Sequence, residues 1–300
     1  MLREYHKEQA AKAREVYIQS RNPDADAEEW NAALREARRS IGEALRASNY
    51  LRNVSAALLA NGEHARIFRH MLAPPLSQDQ FKLFYPDWQK STEQHNGPKS
   101  KPNSAAAVAR AVQERRSGTL APWLSSGRVP RRSELERLFW SVSPLIANQQ
   151  FATEQRNRLA RIQEVEIMDL LNANGWTKLP SSLLDTKAAL PLKHYMHKTR
   201  FATATTRPQE VDIALGLKNT IVLAMECKVT NDETNSIKRV NDILKKSAAW
   251  KKHWGSFVKT AAVLQGVIAE KDVMRLLDDE VEVFWSHDLP HFEQWFSKSI

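Results

Sequence analysis

Residues 221–229 read IVLAMECKV, an apolar run suited to the middle of a sheet that nonetheless carries Glu226 and Lys228 near its end. Side chains alternate faces along a strand. Ile221, Leu223, Met225 and Cys227 therefore share one face, and Val222, Ala224, Glu226 and Lys228 share the other. An acid and a base aimed from one face of a buried strand call for a reason, because burying either charge alone is costly.

The preceding segment offers one. Residues 210–216, EVDIALG, read as a short strand, and Lys218–Asn219 as the turn into the next. Two strands joined so tightly pair side by side, and Asp212, fourteen residues ahead of Glu226, can then converge with it at one end of the sheet. Two neighbouring carboxylates repel unless a cation holds them. Hard oxygen ligands without a His or Cys partner favour Mg²⁺, with Mn²⁺ able to substitute. Lys228, on the same face, would orient a water or donate to a phosphate oxygen.

Outward from this strand the rhythm is helix, strands, helix, strand, helix, strand, helix. ATEQRNRLARIQEVEIMDLLNANGW (152–176) reads as one helix with Gly175 as its stop, and 177–217 as extended segments and turns. TNSIKRVNDILKKSAAWKKHWG is a helix, VKTAAVLQGVI a strand, EKDVMRLLDD a helix, VEVFWS a strand and PHFEQWFSK a helix. The predicted class is α/β, a mixed-sheet core flanked by helices over 146–300. Residues 1–145 read as mainly helical. The apolar stripe Trp30, Ala37, Ile41, Leu45 marks one helix, Gly62 a break, Ser77 an N-cap, and 91–104 a loop.

The formal net charge is +9, from 44 Lys+Arg against 35 Asp+Glu. Residues 1–150 carry most of the excess, with 23 basic and 16 acidic side chains. Between Lys99 and Arg132 there are eight Lys/Arg and one acid, Glu114, among Gly, Ser and Pro. Arg115, Arg116, Arg131 and Arg132 belong to this stretch and are candidates to lie along a phosphate backbone. Such an excess favours a polyanion, nucleic acid first; a solvated linker has the same composition.

No stretch approaches the roughly 20 apolar residues of a membrane span, and the first twenty residues lack the apolar core of a signal peptide. One cysteine, Cys227, excludes an internal disulfide framework and a Cys-based zinc site. These features predict a cytoplasmic protein without membrane partners. No phosphate-loop glycine pattern occurs, so no nucleotide cofactor is expected. His194 and His197 stand three apart, a metal-ligating spacing on a helix, but no third partner is evident. Trp123, Trp250, Trp254 and Trp285 read as packing residues.

Asp212, a gap, then Glu226-Cys227-Lys228 resembles the PD-(D/E)xK nuclease superfamily, although Val211 precedes the aspartate where that pattern has proline. In the superfamily a helix before the sheet often supplies another acid ahead of a Gly-aromatic stop. Glu164, ahead of Gly175-Trp176, is the matching residue, with Glu166 the competing choice. The ECKV strand running into N-S-x-K-R-x-N and then K-x-x-x-W resembles, over about 155–265, the XamI family of type II restriction endonucleases.

The resemblance implies a restriction-endonuclease-like fold and Mg²⁺-dependent cleavage of double-stranded DNA at a short palindrome. Asp212, Glu226 and the Cys227 carbonyl would hold the metal, aided by Glu164, and Lys228 would position and help deprotonate the attacking water. Asn235, Ser236, Lys238 and Arg239, at a helix start beyond the metal strand, become candidates for DNA contact. A palindrome implies a homodimer, and the helical half would then embrace DNA, dimerise, or both. Two alternatives share the same core: a structure-specific or repair nuclease, and a DNA-binding protein that has lost its chemistry.

Overall fold

A computed structural model of the chain describes residues 2–94, 97–186, 190–204 and 206–300. They form two compact units, one of residues 23–154 and one of residues 1–22 with 155–300. The chain opens with α1 (Leu2–Gln19), whose Ala10 and Ala13 are buried in the second unit among Val273, Leu276 and Val283. Nothing in the sequence of α1 ties it to a partner so distant in the chain.

The unit of residues 23–154 is helical. It contains α2 (Pro23–Ala47), α3 (Val54–Ala60), α4 (His64–His70), α5 (Gln78–Phe84), α6 (Pro102–Arg115), α7 (Pro122–Ser125) and the first part of α8 (Arg132–Ala173). Ala33, Ala37, Ile41 and Leu45 form the buried stripe of α2, as their spacing predicts. Gly62 separates α3 from α4. Ser77 caps α5 in a reciprocal pair with Gln80. The stretch read as a loop over 91–104 includes residues 95–96, which lie outside those described; around them stand a short 3₁₀ turn (Lys90–Glu93) and the first turn of α6. Phe68, Trp88, Trp123, Leu138 and Val142 are among the core of this unit.

Helix α8 begins twenty residues earlier than the sequence pattern of 152–176 alone implies, and its residues are divided between the two units. The two units divide within this helix, after residue 154. Gly175, at φ 75°, follows the helix as a stop.

The second unit is α/β. Among the described residues its strands form a seven-stranded mixed sheet: β1 (Thr177–Leu179), β2 (Leu183–Leu184), β3 (His194–Phe201), β4 (Gln209–Gly216), β5 (Val222–Thr230), β6 (Val258–Gly266) and β7 (Val281–Trp285). The order is β1-β3-β4-β5-β6-β7, with β2 also on β3. Strands β3, β4 and β5 are antiparallel neighbours, whereas β5, β6 and β7 run parallel. Parallel strands need crossover segments, and α9 (Glu233–Trp254) and α10 (Glu270–Asp278) supply them. The chain ends with α11 (Leu289–Ser297).

Strand alternation sorts the core. Leu223, Met225 and Cys227 pack with Ile167 and Leu171 of α8 and Phe292 and Phe296 of α11. Val222 and Ala224 pack with Trp250 and Trp254 of α9 on the opposite face. Trp123, Trp250, Trp254 and Trp285 are all buried. At the far end of the β5–β6 ladder, Gly266 pairs with Thr230 at φ 92°, and a Cβ there would lie 1.9 Å from the Thr230 carbonyl oxygen. Gly266→Ala should therefore lower the unfolding free energy by roughly 2 kcal/mol or more, read from urea midpoints; an unchanged midpoint contradicts this close approach.

Candidate active site

The β4–β5 ladder runs from Gly216–Val222 to Ile213–Met225 and stops there, while β5 continues beside β6 as far as Thr230. The two strands part as a fork. A buried backbone N–H must find an acceptor, and at the fork that of Cys227 donates to Asp212 Oδ2 at 2.8 Å. The Asp212 side chain thereby replaces the missing main-chain partner, and this pins its carboxylate beside Glu226.

Strand β3 adds a second irregularity. Between the pairs His197–Ile213 and Thr199–Val211, Lys198 stands opposite Asp212 with φ at 52°. Strict alternation would put Phe201 opposite in face to Met196, and Val211 opposite to Ala214, yet all four belong to one cluster. The alternation slips at Lys198 and Asp212, and Lys198 Nζ lies 2.6 Å from Asp212 Oδ1 and 2.5 Å from Glu164 Oε1. His197 Nε2 lies 2.7 Å from Glu164 Oε2.

Glu226 is fully buried. Its Oε2 accepts from Lys228 at 2.6 Å and from Lys246 of α9 at 2.8 Å, whereas Oε1 is buried without a partner. Lys228 Nζ is also 3.7 Å from Asp212 Oδ2 and 3.7 Å from Asp242 Oδ2. Asp212 and Glu226 thus meet on one ammonium group. Burial pushes the Glu226 carboxyl above the usual range against the pull of Lys228, and the charge of Asp212 adds to the rise. Burial acts on Asp212 too, but Lys228, Lys198 and the Cys227 amide outweigh it and hold that carboxyl low. Lys228 is desolvated, yet Glu226 and Asp212 keep it above the ordinary lysine value. The Cys227 thiol, on the other face, is pushed well up by burial.

Among the described residues, no group of three or more His, Cys, Asp or Glu side chains is arranged to hold a metal ion; lysine ammonium groups stand between the acids. The donor chemistry nevertheless fits a hard divalent cation. Two carboxylates converge, and Glu226 Oε1 is a buried acceptor lacking a hydrogen bond.

The description "XamI restriction endonuclease" matches residues 49–285, most of the chain. The chain belongs to that family. It is 33% identical over 137 residues to type II restriction enzyme XamI of Xanthomonas campestris pv. amaranthicola, an alignment covering 45% of this chain and 48% of that one. The chain thus spans about half the length of that curated relative. The crystal structure of protein VC1899 from Vibrio cholerae aligns with 92% of this chain and 57% of its own, at 10% identity and a TM-score of 0.33, too slight a likeness to support an argument. The mixed sheet with flanking helices and a helical N-terminal region accords with the restriction-endonuclease-like fold expected of the family.

Of the residues singled out in the sequence, this family member brings Glu164, Asp212, Glu226 and Lys228 together. Glu166, the competing choice, is exposed. Ser236 requires correction as a DNA-contacting residue: it is fully buried, and its hydroxyl donates to Asp272 Oδ2 at 2.6 Å. Its spacing to Val240 and Ile243 on the buried stripe of α9 is the signal that places it inside. Asn235 is held by Asn231 and the capping Asp232, while Lys238 and Arg239 are exposed. Arg115, Arg116, Arg131 and Arg132 belong to the helical unit; Arg115 donates to the Tyr85 hydroxyl, and Arg132 pairs with Glu136.

Sequence reasoning missed Lys198, Lys246 and Asp242, and it weighed His197 only as one of a histidine pair and not as a partner of Glu164. His194 and His197 lie on a strand, where a three-residue spacing puts them on no common helical face. Lys246 sits in a lysine-rich helix whose composition reads as solvated.

Removal of the buried Ser236 hydroxyl leaves Asp272 short of a donor, so Ser236→Ala should cost about 1–3 kcal/mol of stability by chemical denaturation. Exposed Lys238→Ala should cost no more than about 0.5 kcal/mol. Equal effects of the two substitutions contradict this placement of α9.

Proposed function

We propose that the chain is a type II restriction endonuclease, hydrolysing double-stranded DNA at a short palindrome with Mg²⁺ and leaving 5′-phosphate and 3′-hydroxyl ends. The observation that carries this reading is the meeting of Asp212 and Glu226 on Lys228 Nζ, at 3.7 and 2.6 Å, where β4 and β5 part. Family membership supports the same activity.

Asp212, Glu226 and the Cys227 carbonyl would hold Mg²⁺, with Glu164 joining through water. When bound, the cation would supply Lewis acidity at the phosphate and favour activation of the attacking water. The remaining work falls to the side chains. Held protonated by Glu226 and Asp212, Lys228 would position the attacking water and donate to the phosphate oxygen on which charge develops; as an ammonium group it would favour deprotonation of that water through its charge and not as the base. The water oxygen forms a bond to phosphorus in line as the bond to the 3′ oxygen breaks. The proton lost by the attacking water passes to bulk solvent and the 3′ oxygen takes one from solvent water, so atoms and charge balance.

Lys238 and Arg239, exposed on the first turns of α9 beyond β5, would meet the duplex, with Asn235 beside them. Arg115, Arg116, Arg131 and Arg132 would neutralise backbone phosphates from the helical unit, and residues 1–145 would embrace DNA, form dimer contacts, or both. Two identical subunits would match the two-fold axis of the site. No helix among the described residues is long and apolar enough to cross a membrane, and the enzyme would act on DNA in the cytoplasm.

Plasmid DNA incubated with the protein and Mg²⁺ should give discrete fragments; a smear, or shifted but intact DNA, rules out this activity. Glu226→Ala should abolish cutting while DNA binding stays measurable, and retained cutting removes Glu226 from the centre. Lys238→Ala combined with Arg239→Ala should weaken binding and flatten its salt dependence by about one unit of slope per lost phosphate contact. An unchanged slope places the DNA surface elsewhere.

A further inference from the structure

Three lysines neutralise the acids Glu164, Asp212 and Glu226 at the fork, and they differ in how freely they can leave. Lys228 and Lys246, at 12% and 16% side-chain exposure, both bind Glu226, whereas Lys198 is 41% exposed. Lys198 also holds a different pair of oxygens: its ammonium group bridges Glu164 Oε1 and Asp212 Oδ1 at 2.5 and 2.6 Å. The other Asp212 oxygen already receives the Cys227 amide at 2.8 Å. Any cation that takes Asp212 as a ligand must therefore share Oδ1 with an ammonium group or draw on an oxygen fixed by the backbone.

A divalent ion in oxygen contact with Asp212 would lie only a few ångströms from Lys198 Nζ, and like charges that close, with little water between, repel strongly. Lys198 extends from a strand position held at φ 52°, on a flexible side chain nearly half open to solvent. Release of its ammonium group requires no opening of the core.

Resting on the metal-centre reading above, we propose that Lys198 is a positioning residue that serves as an exchangeable internal counter-cation. It holds Glu164 and Asp212 together, competes with the divalent metal for their oxygens, and moves outward when the metal binds. The site thereby takes up metal more weakly than its carboxylates alone would allow. The freed ammonium group, on the solvent side of the fork, is then available to a DNA phosphate, so metal and polyanion binding reinforce each other.

The test is Mn²⁺ binding to the full chain by calorimetry, together with the thermal shift that Mn²⁺ produces, for wild type, Lys198→Gln, Lys198→Met and Lys198→Arg. Lys198→Gln keeps a hydrogen-bond donor and guards against misfolding of the Met variant. Both neutral variants should bind Mn²⁺ at least tenfold more tightly and show a larger Mn²⁺-induced rise in Tm, while Lys198→Arg restores wild-type affinity. Equal or weaker binding by the neutral variants overturns the competitor role, and so does tighter binding by Lys198→Arg. An absence of Mn²⁺ binding in wild type and all variants overturns it together with the metal-centre reading.

Discussion

Glu164, Asp212 and Glu226 bring three carboxylates to one corner of the sheet unit, where lysines 198, 228 and 246 bind them. Transfer of an ionised carboxylate out of water costs several kcal/mol even after relaxation, so neither buried acid, Glu164 or Glu226, would stay there alone. The architecture of the unit can be read as the means of keeping these opposed charges in register. The break in the β4–β5 ladder is the decisive local event, because it opens the Cys227 amide to Asp212. A ladder continued by one more pair would satisfy that amide with main chain and leave Asp212 without its anchor.

Both faces of the sheet contribute. Helix α8 brings Glu164 three residues before Ile167, which packs under β5 on the Cys227 side. Helix α9, packed by Trp250 and Trp254 on the opposite face, brings Lys246 and Asp242. The apolar contacts that stabilise each helix fix the position of a charged group one turn away, so core packing and site geometry are the same constraint.

Much of this was legible because strand periodicity is short-ranged. The alternation in IVLAMECKV sets Glu226 and Lys228 on one face and Cys227 on the other, and the short connection from EVDIALG makes Asp212 a neighbour. Gly175 marked the helix end, and the Gly-aromatic stop pointed to Glu164 over Glu166. Lys198 was not legible, since nothing in HYMHKTRF announces a positive φ in mid-strand or a slip in alternation. Lys246 was hidden by the lysines around it. Ser236 was misplaced by reading the helix start as a cluster of polar donors when its spacing to Val240 and Ile243 puts it on the buried stripe. The packing of α1 against the C-terminal half depends on contacts more than two hundred residues away in the chain, such as Trp285 Nε1 donating to His6 Nδ1 at 3.1 Å. Local pattern carries no trace of these.

On the proposed reading, the fork between β4 and β5 holds the metal at which DNA is hydrolysed. The most direct measurement is the anomalous scattering of crystals grown with Mn²⁺. A manganese peak in oxygen contact with both the Asp212 and Glu226 carboxylates is expected. Manganese bound elsewhere with none at the fork, or touching only one of the two acids, would contradict it.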